Sequence, residues 1–279
     1  MNAQQQIITW LARGTVQRAE LERLFVEFGG YGGATLRDDG EIHIYGSTQC
    51  ACADEMASDH ELSQFVTFIH EKRRNNGMDV FDAIEQRRAI KKFDPNHPLS
   101  DAQVMELFRL TLHAPTAFNM QNWRFLWLRD PALRQEMAKA FHGKSQATDA
   151  PLLVLILADL AAWNKSPERY WVTASEEVSN RIVRNMDQFY RNHEQRQRDE
   201  AMRSGGLAAQ TLMLAAKGMG LDSCPMIGFD FEAAARLIRL PVDHCIVMAV
   251  AVGKRVEDAA PRGGQLPLET VVITDRFDE

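Results

Sequence analysis

Residues 204–228 read SGGLAAQTLMLAAKGMGLDSCPMIG. From Leu207 to Ala216 only Gln210 and Thr211 are polar, so no face suits solvent and the spacing predicts a helix buried nearly all round. Ala208, Thr211 and Ala215 recur on one side, where small side chains let another backbone come close. That side reads as a packing seam, and a second subunit is one candidate to fill it. Gly218 and Gly220 end the helix, because glycine takes positive φ readily just past a last turn. Pro225 forbids its resumption. Met226, Ile227 and Gly228 are therefore expected in an ordered loop with free backbone donors and a glycine that lets something flat approach.

The chain of 279 residues has room for one large domain, or for one domain and a small appendage. At 45% hydrophobic and 25% charged residues the composition is that of an ordinary globular protein. The net charge of -6 offers no electrostatic footprint for nucleic acid or an anionic membrane surface. The opening MNAQQQIITWLARG has no basic segment leading into a long apolar run, and no later run reaches membrane-spanning length. Neither nucleic-acid nor membrane partners are expected, and the expected compartment is the cytoplasm. Cys50, Cys52, Cys224 and Cys245 form neither a disulfide framework nor zinc-ligand pairs, and read as free thiols.

Residues 1–77 read as a small α/β appendage. Leu21, Leu24, Phe25 and Phe28 give Thr15 to Phe28 a helical apolar face, the glycines between 29 and 33 break it, and Asp38-Asp39-Gly40 sits between two short extended runs as a hairpin turn. His60 to Arg74 is helical again, and residues 72–77 read as the linker. Beyond it, residues 78–279 form the main domain. Asp79 is placed to cap a short helix leading to the basic run Gln86 to Phe93. Ser100 and Gln103 have capping-box spacing, and that helix ends at His113-Ala114-Pro115. A polar loop from Pro115 to Trp123 then enters a strand from Arg124 to Leu128, and Asp130-Pro131 starts another helix. Leu152 to Ala158 is continuously apolar, as in a strand covered on both faces, and Cys245 to Val252 is a second such strand. Between them, Ala161 to Arg203 reads as an excursion over the core.

Several short motifs fail. Gly143-Lys144-Ser145 resembles the end of a P-loop, but Ala138 stands where the first glycine belongs. Gly218-Met219-Gly220 lacks a third glycine and follows a helix, not a strand. His193-Glu194 is followed by Gln197 where a zinc-protease helix needs histidine, so no metal site is expected. There is no G-x-S-x-G elbow for a hydrolase.

Four stretches remain: Arg87 to Phe93, Pro115 to Trp123, Leu221 to Asp230, and Pro261 to Pro267. In this order and spacing they closely resemble the FMN-dependent nitroreductase family, over roughly residue 78 to the C-terminus. The resemblance implies an α+β fold, with a central mixed or antiparallel sheet flanked by helices. It also implies a homodimer with FMN at the subunit interface, and NAD(P)H as electron donor. Arg87 and Arg88 then suit the FMN phosphate, since guanidinium forks donate in pairs and stay charged; Arg262 matches the C-terminal phosphate ligand, with Gly264 beside it. Lys91 falls where the family places a cation near flavin N1 and O2. Asn119 and Gln121, with Thr116, match the loop that meets the flavin or its ribityl chain. Pro225, Met226, Ile227 and Gly228 are implied to lie against the isoalloxazine. Ala89 replaces a common serine, Gln265 a second arginine, Ile227 an acidic residue and Gly143 an asparagine, while Gln146 retains a polar contact.

The implied activity is hydride transfer from NAD(P)H through flavin N5 to a nitroaromatic, quinone or similar flat electron-poor small molecule. The same fold also suits flavin-dependent dehydrogenation, reductive dehalogenation, or a non-enzymatic flavin-binding regulator. Trp163, Tyr170, Trp171, Phe189 and Tyr190 read equally as a lid over the flavin or as ordinary packing.

Overall fold

The computed structural model describes residues 7, 18–29, 33–37, 41–45, 55–75 and 78–277. It forms two compact units, Met1–Gln86 with Lys217–Gly220, and Arg87–Ala216 with Leu221–Glu279.

In the first unit, helix α1 (Arg18–Gly29) precedes an antiparallel sheet of β1 (Gly33–Leu36), β2 (Ile42–Tyr45) and β3 (Glu55–Met56). Helices α2 (Asp59–Asn75) and α3 (Val80–Gln86) follow. Leu21 and Phe25 on α1, Leu36 and Ile42 on the sheet, and Leu62 and Phe65 on α2 make one buried cluster. Glu22 ties α1 to the sheet by accepting from the Leu36 N–H at 2.8 Å. β1 and β2 pair as a hairpin should, although the expected turn at Asp38-Asp39-Gly40 lies outside the described residues. So do Cys50, Cys52 and the last two residues of the expected linker, whose first part is instead the end of α2. Ser58 and Glu61 start α2 with a reciprocal cap, at 3.3 and 2.9 Å. Asp79 caps α3 through the Phe81 N–H at 2.8 Å.

The second unit is built on a four-stranded antiparallel sheet of β4 (Trp123–Trp127), β5 (Leu152–Asp159), β6 (Asp222–Met226) and β7 (His244–Gly253), in the order β4-β5-β7-β6. Every residue of β5 is buried, as its unbroken apolar run requires of a central strand covered on both faces. Around it lie α4 (Asp101–Thr111), α5 (Pro131–Ala140), α6 (Ser145–Asp149), α7 (Glu176–Tyr190), α8 (Glu194–Gly218), α9 (Phe231–Leu237) and α10 (Leu268–Val271). The start of α4 is the expected box, with Ser100 and Gln103 bonded reciprocally. Asp130 caps α5, with Pro131 in its first turn. Among the described residues, no helix is long and apolar enough to cross a membrane.

Two expectations need correction. The helix over 207–216 is part of α8, and only one face of it is buried. Ala208, Ala209, Leu212, Met213 and Ala216 are covered, whereas Leu207 is 42% exposed, Gln210 is exposed, and Thr211, Leu214 and Ala215 are half-buried. One side meets the sheet so closely that a Cβ on Gly205 would lie 2.6 Å from Val247. Among the described residues the opposite side is left open at Leu207 and Gln210. Met226, in turn, belongs to β6 and not to the loop. Pro225 is tolerated inside that strand because β6 is at the sheet edge, where a missing N–H costs no ladder bond. Gly220 takes the expected positive φ of 75° after the helix.

Candidate functional site

Residues 87–93 run beside the edge strand β6. Ala89 bridges Ser223 in parallel, and the Ile90 N–H donates to the Ser223 carbonyl at 3.0 Å. Ile90 and Phe93 turn inward and are buried at 1% and 2% exposure, which leaves Ala89, Lys91 and Lys92 outside. The same segment meets the C-terminal stretch. Arg88 Nη2 donates to the Ala260 carbonyl at 2.6 Å, and Arg262 Nη2 to the Arg87 carbonyl at 3.3 Å. The Arg88 and Arg262 side chains thus tie the segment and the C-terminal stretch together at one corner, and among the described residues neither Arg87 nor Arg88 has a carboxylate partner. Gly264 follows on the same exposed stretch, where a Cβ would meet nothing within 4 Å.

Lys91 reaches over β6, its Nζ 3.7 Å from Cys224 Sγ. Burial pushes the Cys224 thiol up, against the opposing pull of the Lys91, Lys144 and Arg87 charges, so the thiol stays protonated in an electropositive corner. The turn before α6 pins this corner. Ser145 Oγ donates to the Lys91 carbonyl at 3.2 Å, and Lys144 Nζ donates to the Gly228 carbonyl. Gln146 is the next residue, buried at 8% exposure. The motif that fails as a P-loop therefore holds two distant parts of the site. Ile227 is 67% exposed, and among the described residues the N–H groups of Ile227 and Gly228 donate to no acceptor.

The Pro115 to Trp123 loop forms a second group. Phe118, Asn119 and Gln121 have φ of 53°, 51° and 45°, a left-handed conformation that side chains other than glycine's resist. Such strain persists only where surroundings over-determine it, and it concentrates at functional sites. Here the Gln121 N–H donates to Thr116 Oγ1 at 2.9 Å, Asn119 Nδ2 to the Tyr170 carbonyl at 3.0 Å, and Arg124 Nη1 to the Gln121 carbonyl at 2.9 Å. The Ala117 N–H donates at 3.2 Å to the buried Glu200 of α8. Met120 packs with Ala162, Trp163, Met186 and Tyr190, and Phe118 lies about equally far from Phe189 and Tyr190, at 6.1 and 6.0 Å. Trp163 and Tyr190 therefore pack beneath this loop. Thr116, Asn119 and Gln121 bond within their own group, which is built on residues 116–124, 170 and 200. The arginine and Lys91 corner is built on residues 87–93, 144–145, 222–228 and 260–262.

Sequence reasoning missed a charged cluster at the end of β5. Asp159, 3% exposed, accepts from Lys165 Nζ at 2.9 Å and lies 3.5 Å from Arg124 and 3.8 Å from His244. Lys165 also reaches Asp243 at 2.6 Å. The bond from Lys165, then that from His244, holds the Asp243 carboxyl down at about 2. Burial opposes charge on Lys165, yet its bonds to Asp243 and Asp159 raise its affinity for the proton. Asp159, Asp243 and His244 have ligand atoms close enough for a metal, but the Lys165 ammonium already takes the cation's place. Residues as far apart as 124, 159, 165 and 243 carry no local motif that would have announced them.

The nitroreductase family model matches residues 84–254. Protein DrgA of Synechocystis sp. is 51% identical over 196 residues, covering 68% of this chain and 93% of that protein. An NADH dehydrogenase of Thermus thermophilus is 30% identical over 206 residues, covering 70% of this chain and 96% of its own. A crystal structure from Exiguobacterium sibiricum, in complex with FMN, superposes with a TM-score of 0.66 at 25% identity, over 71% of this chain and 98% of the other.

Proposed function

The chain belongs to the nitroreductase family and is an FMN-dependent oxidoreductase, and from that premise we propose that it carries hydride from NAD(P)H, in a ping-pong cycle, to a nitroaromatic, quinone or similar flat electron-poor acceptor. The observation that carries the site is the pair of unclaimed N–H groups at Ile227 and Gly228, linked through Lys144 and Ser145 to Lys91. FMN, when bound, supplies the centre that accepts and returns hydride. The protein's part is to hold and tune it. Arg87, Arg88 and Arg262 take the phosphate, Lys91 offers positive charge where negative charge gathers on reduction, and the 227–228 amides donate to the flavin edge. Thr116, Asn119 and Gln121 serve the same cofactor from the strained loop, with Ala89, Gln146, Pro225, Met226 and Gly264 lining it. No side chain is needed as nucleophile or general base, because donor and acceptor are oriented in turn over one face.

The donor is tested anaerobically. The FMN-loaded protein should lose its visible flavin band on addition of NADH or NADPH and regain it with a quinone or nitroaromatic. Failure to bleach with either nucleotide rejects the donor, and failure to recover rejects the acceptor class. The name of the Thermus relative favours NADH as one donor.

A homodimer with FMN at the interface belongs to the same proposal. The open stripe of α8 supports it, as does the C-terminal stretch, where Leu266, Leu268, Val271, Val272, Ile273 and Phe277 are all 47% exposed or more. Apolar surface of that extent is otherwise expected to be covered. Sedimentation equilibrium at micromolar concentration should give a dimer, and Leu207→Asp should shift it toward monomer. A wild-type monomer that holds FMN would reject the assembly.

A further inference from the structure

We propose that Lys144 is a second cation of the cofactor site, clamped beside the 227–228 loop by the Gly228 carbonyl and acting with Lys91 to favour the reduced, negatively charged flavin. The inference rests on the FMN site described above and adds a residue that the family resemblance did not name.

Two placements converge on it. Lys144 follows His142 and Gly143, both left-handed at φ of 54° and 68°, in the turn that closes α5. That turn is fixed to the loop by a stack of rings: Phe141 lies 4.3 Å from Phe229, and Phe229 lies 4.3 Å from Phe231, with planes 16° and 14° apart. The Asp230 N–H also donates to the Ala140 carbonyl at 2.9 Å. The lysine therefore leaves a rigid corner, and its ammonium sits on the loop. A Cβ placed on Gly228 would be 3.0 Å from Lys144 Nζ.

The second placement is on the Lys91 side. Ser145, the next residue, holds the Lys91 backbone, and the Cys224 thiol touched by Lys91 also feels the Lys144 charge. Both ammonium groups thus act on one small region of β6.

The clamp also sets the amides. The Phe229 N–H donates to the Ile227 carbonyl at 3.1 Å, and because a trans peptide places N–H and C=O on opposite sides, the Gly228 N–H faces away from that turn. Lys144 holds the following peptide by its oxygen. The loop therefore offers a fixed donor with a cation next to it, at the position where Ile227 supplies no acid. A charge so placed stabilises an anionic ligand state more than a neutral one.

The test uses the full-length FMN-loaded protein titrated anaerobically against a dye of known potential. Lys144→Met and Lys144→Gln should each bind FMN within about threefold of wild type. In both, the equilibrium constant for two-electron reduction should fall about tenfold, a midpoint about 30 mV more negative, and Lys144→Arg should restore it. If both neutral variants keep the wild-type midpoint, or if Lys144→Gln loses FMN as severely as an arginine-cluster variant, the tuning role is overturned. A wild-type protein that takes up no FMN would instead reject the underlying site.

Discussion

Replacing Arg87 and Arg88 together by alanine is expected to weaken FMN binding by two to four orders of magnitude. Hydrogen bonds to charged groups contribute about 1.5–3 kcal/mol each, so losing a pair removes about 3–6 kcal/mol. Every 1.4 kcal/mol is tenfold in affinity. Arg262 remains and sets a floor, since its guanidinium is held at the same corner by the Arg87 carbonyl, which alanine keeps. Neither arginine is in the core, and the buried anchors of the segment, Ile90 and Phe93, are untouched. Fluorescence titration of FMN into apoprotein measures the loss, with circular dichroism to establish the fold. An affinity within tenfold of wild type would remove the phosphate from this corner.

Asp159→Asn should be the most destabilising polar substitution in the second unit, at about 2–4 kcal/mol. Removing one partner from a buried ion pair costs about 3–5 kcal/mol, discounted here because Lys165 is partly exposed and keeps Asp243. For a domain of this size that is a fall in melting temperature of about 4–16 °C. The pH dependence of the cluster follows from Asp243. Its folded pKa of about 2 lies below the ordinary value of 3.8, so its contribution is complete above that value and is lost as pH falls toward 2. Lys165 is shifted the other way, so its contribution is complete below 10.5 and is lost only at higher pH. Calorimetry on Asp243→Asn and wild type should show a gap that is constant through neutral pH and closes in acid. A gap that widened on acidification would contradict the sign, and a change below about 1 °C in Asp159→Asn would mean that solvent already screens the cluster.

Local chemistry was the legible part of this chain. The Ser100 box, the Asp130-Pro131 start and the unbroken apolar run of β5 each carry their cause within a few residues, and each element stands where that cause puts it. Pro225 rules out a resumed helix but not a strand, and that Met226 belongs to one depends on the strand's place at the sheet edge, which no local window contains. The covering of α8 was misjudged for a related reason: an apolar helix records all its neighbours, including any outside the chain. Arg87, Arg88 and Arg262 could be grouped only through the resemblance, and the structure joins them across 175 positions. Gly143-Lys144-Ser145 resembles only a phosphate loop in sequence, which says nothing of what Lys144 reaches. The partners of that turn, Gly228 for Lys144 and Lys91 for Ser145, are neighbours only after folding. The left-handed Phe118 and Gln121 had no sequence signal at all, since neither residue type favours that backbone.

The division of the residues proposed to hold the cofactor into two groups, one on the arginine and Lys91 corner and one on the Thr116 to Gln121 loop, reaches into genetics. If on the proposed dimer each flavin drew one group from either subunit, an allele damaged at Arg87 and Arg88 and an allele damaged in the strained loop would not be equivalent defects. Chains of the two kinds, each inactive as a homodimer, would assemble in mixed pairs into one site with both lesions and one with none. A cell carrying both defective copies would then regain activity that neither copy confers, and selection would see the pair of chains, not the chain, as the unit that fails.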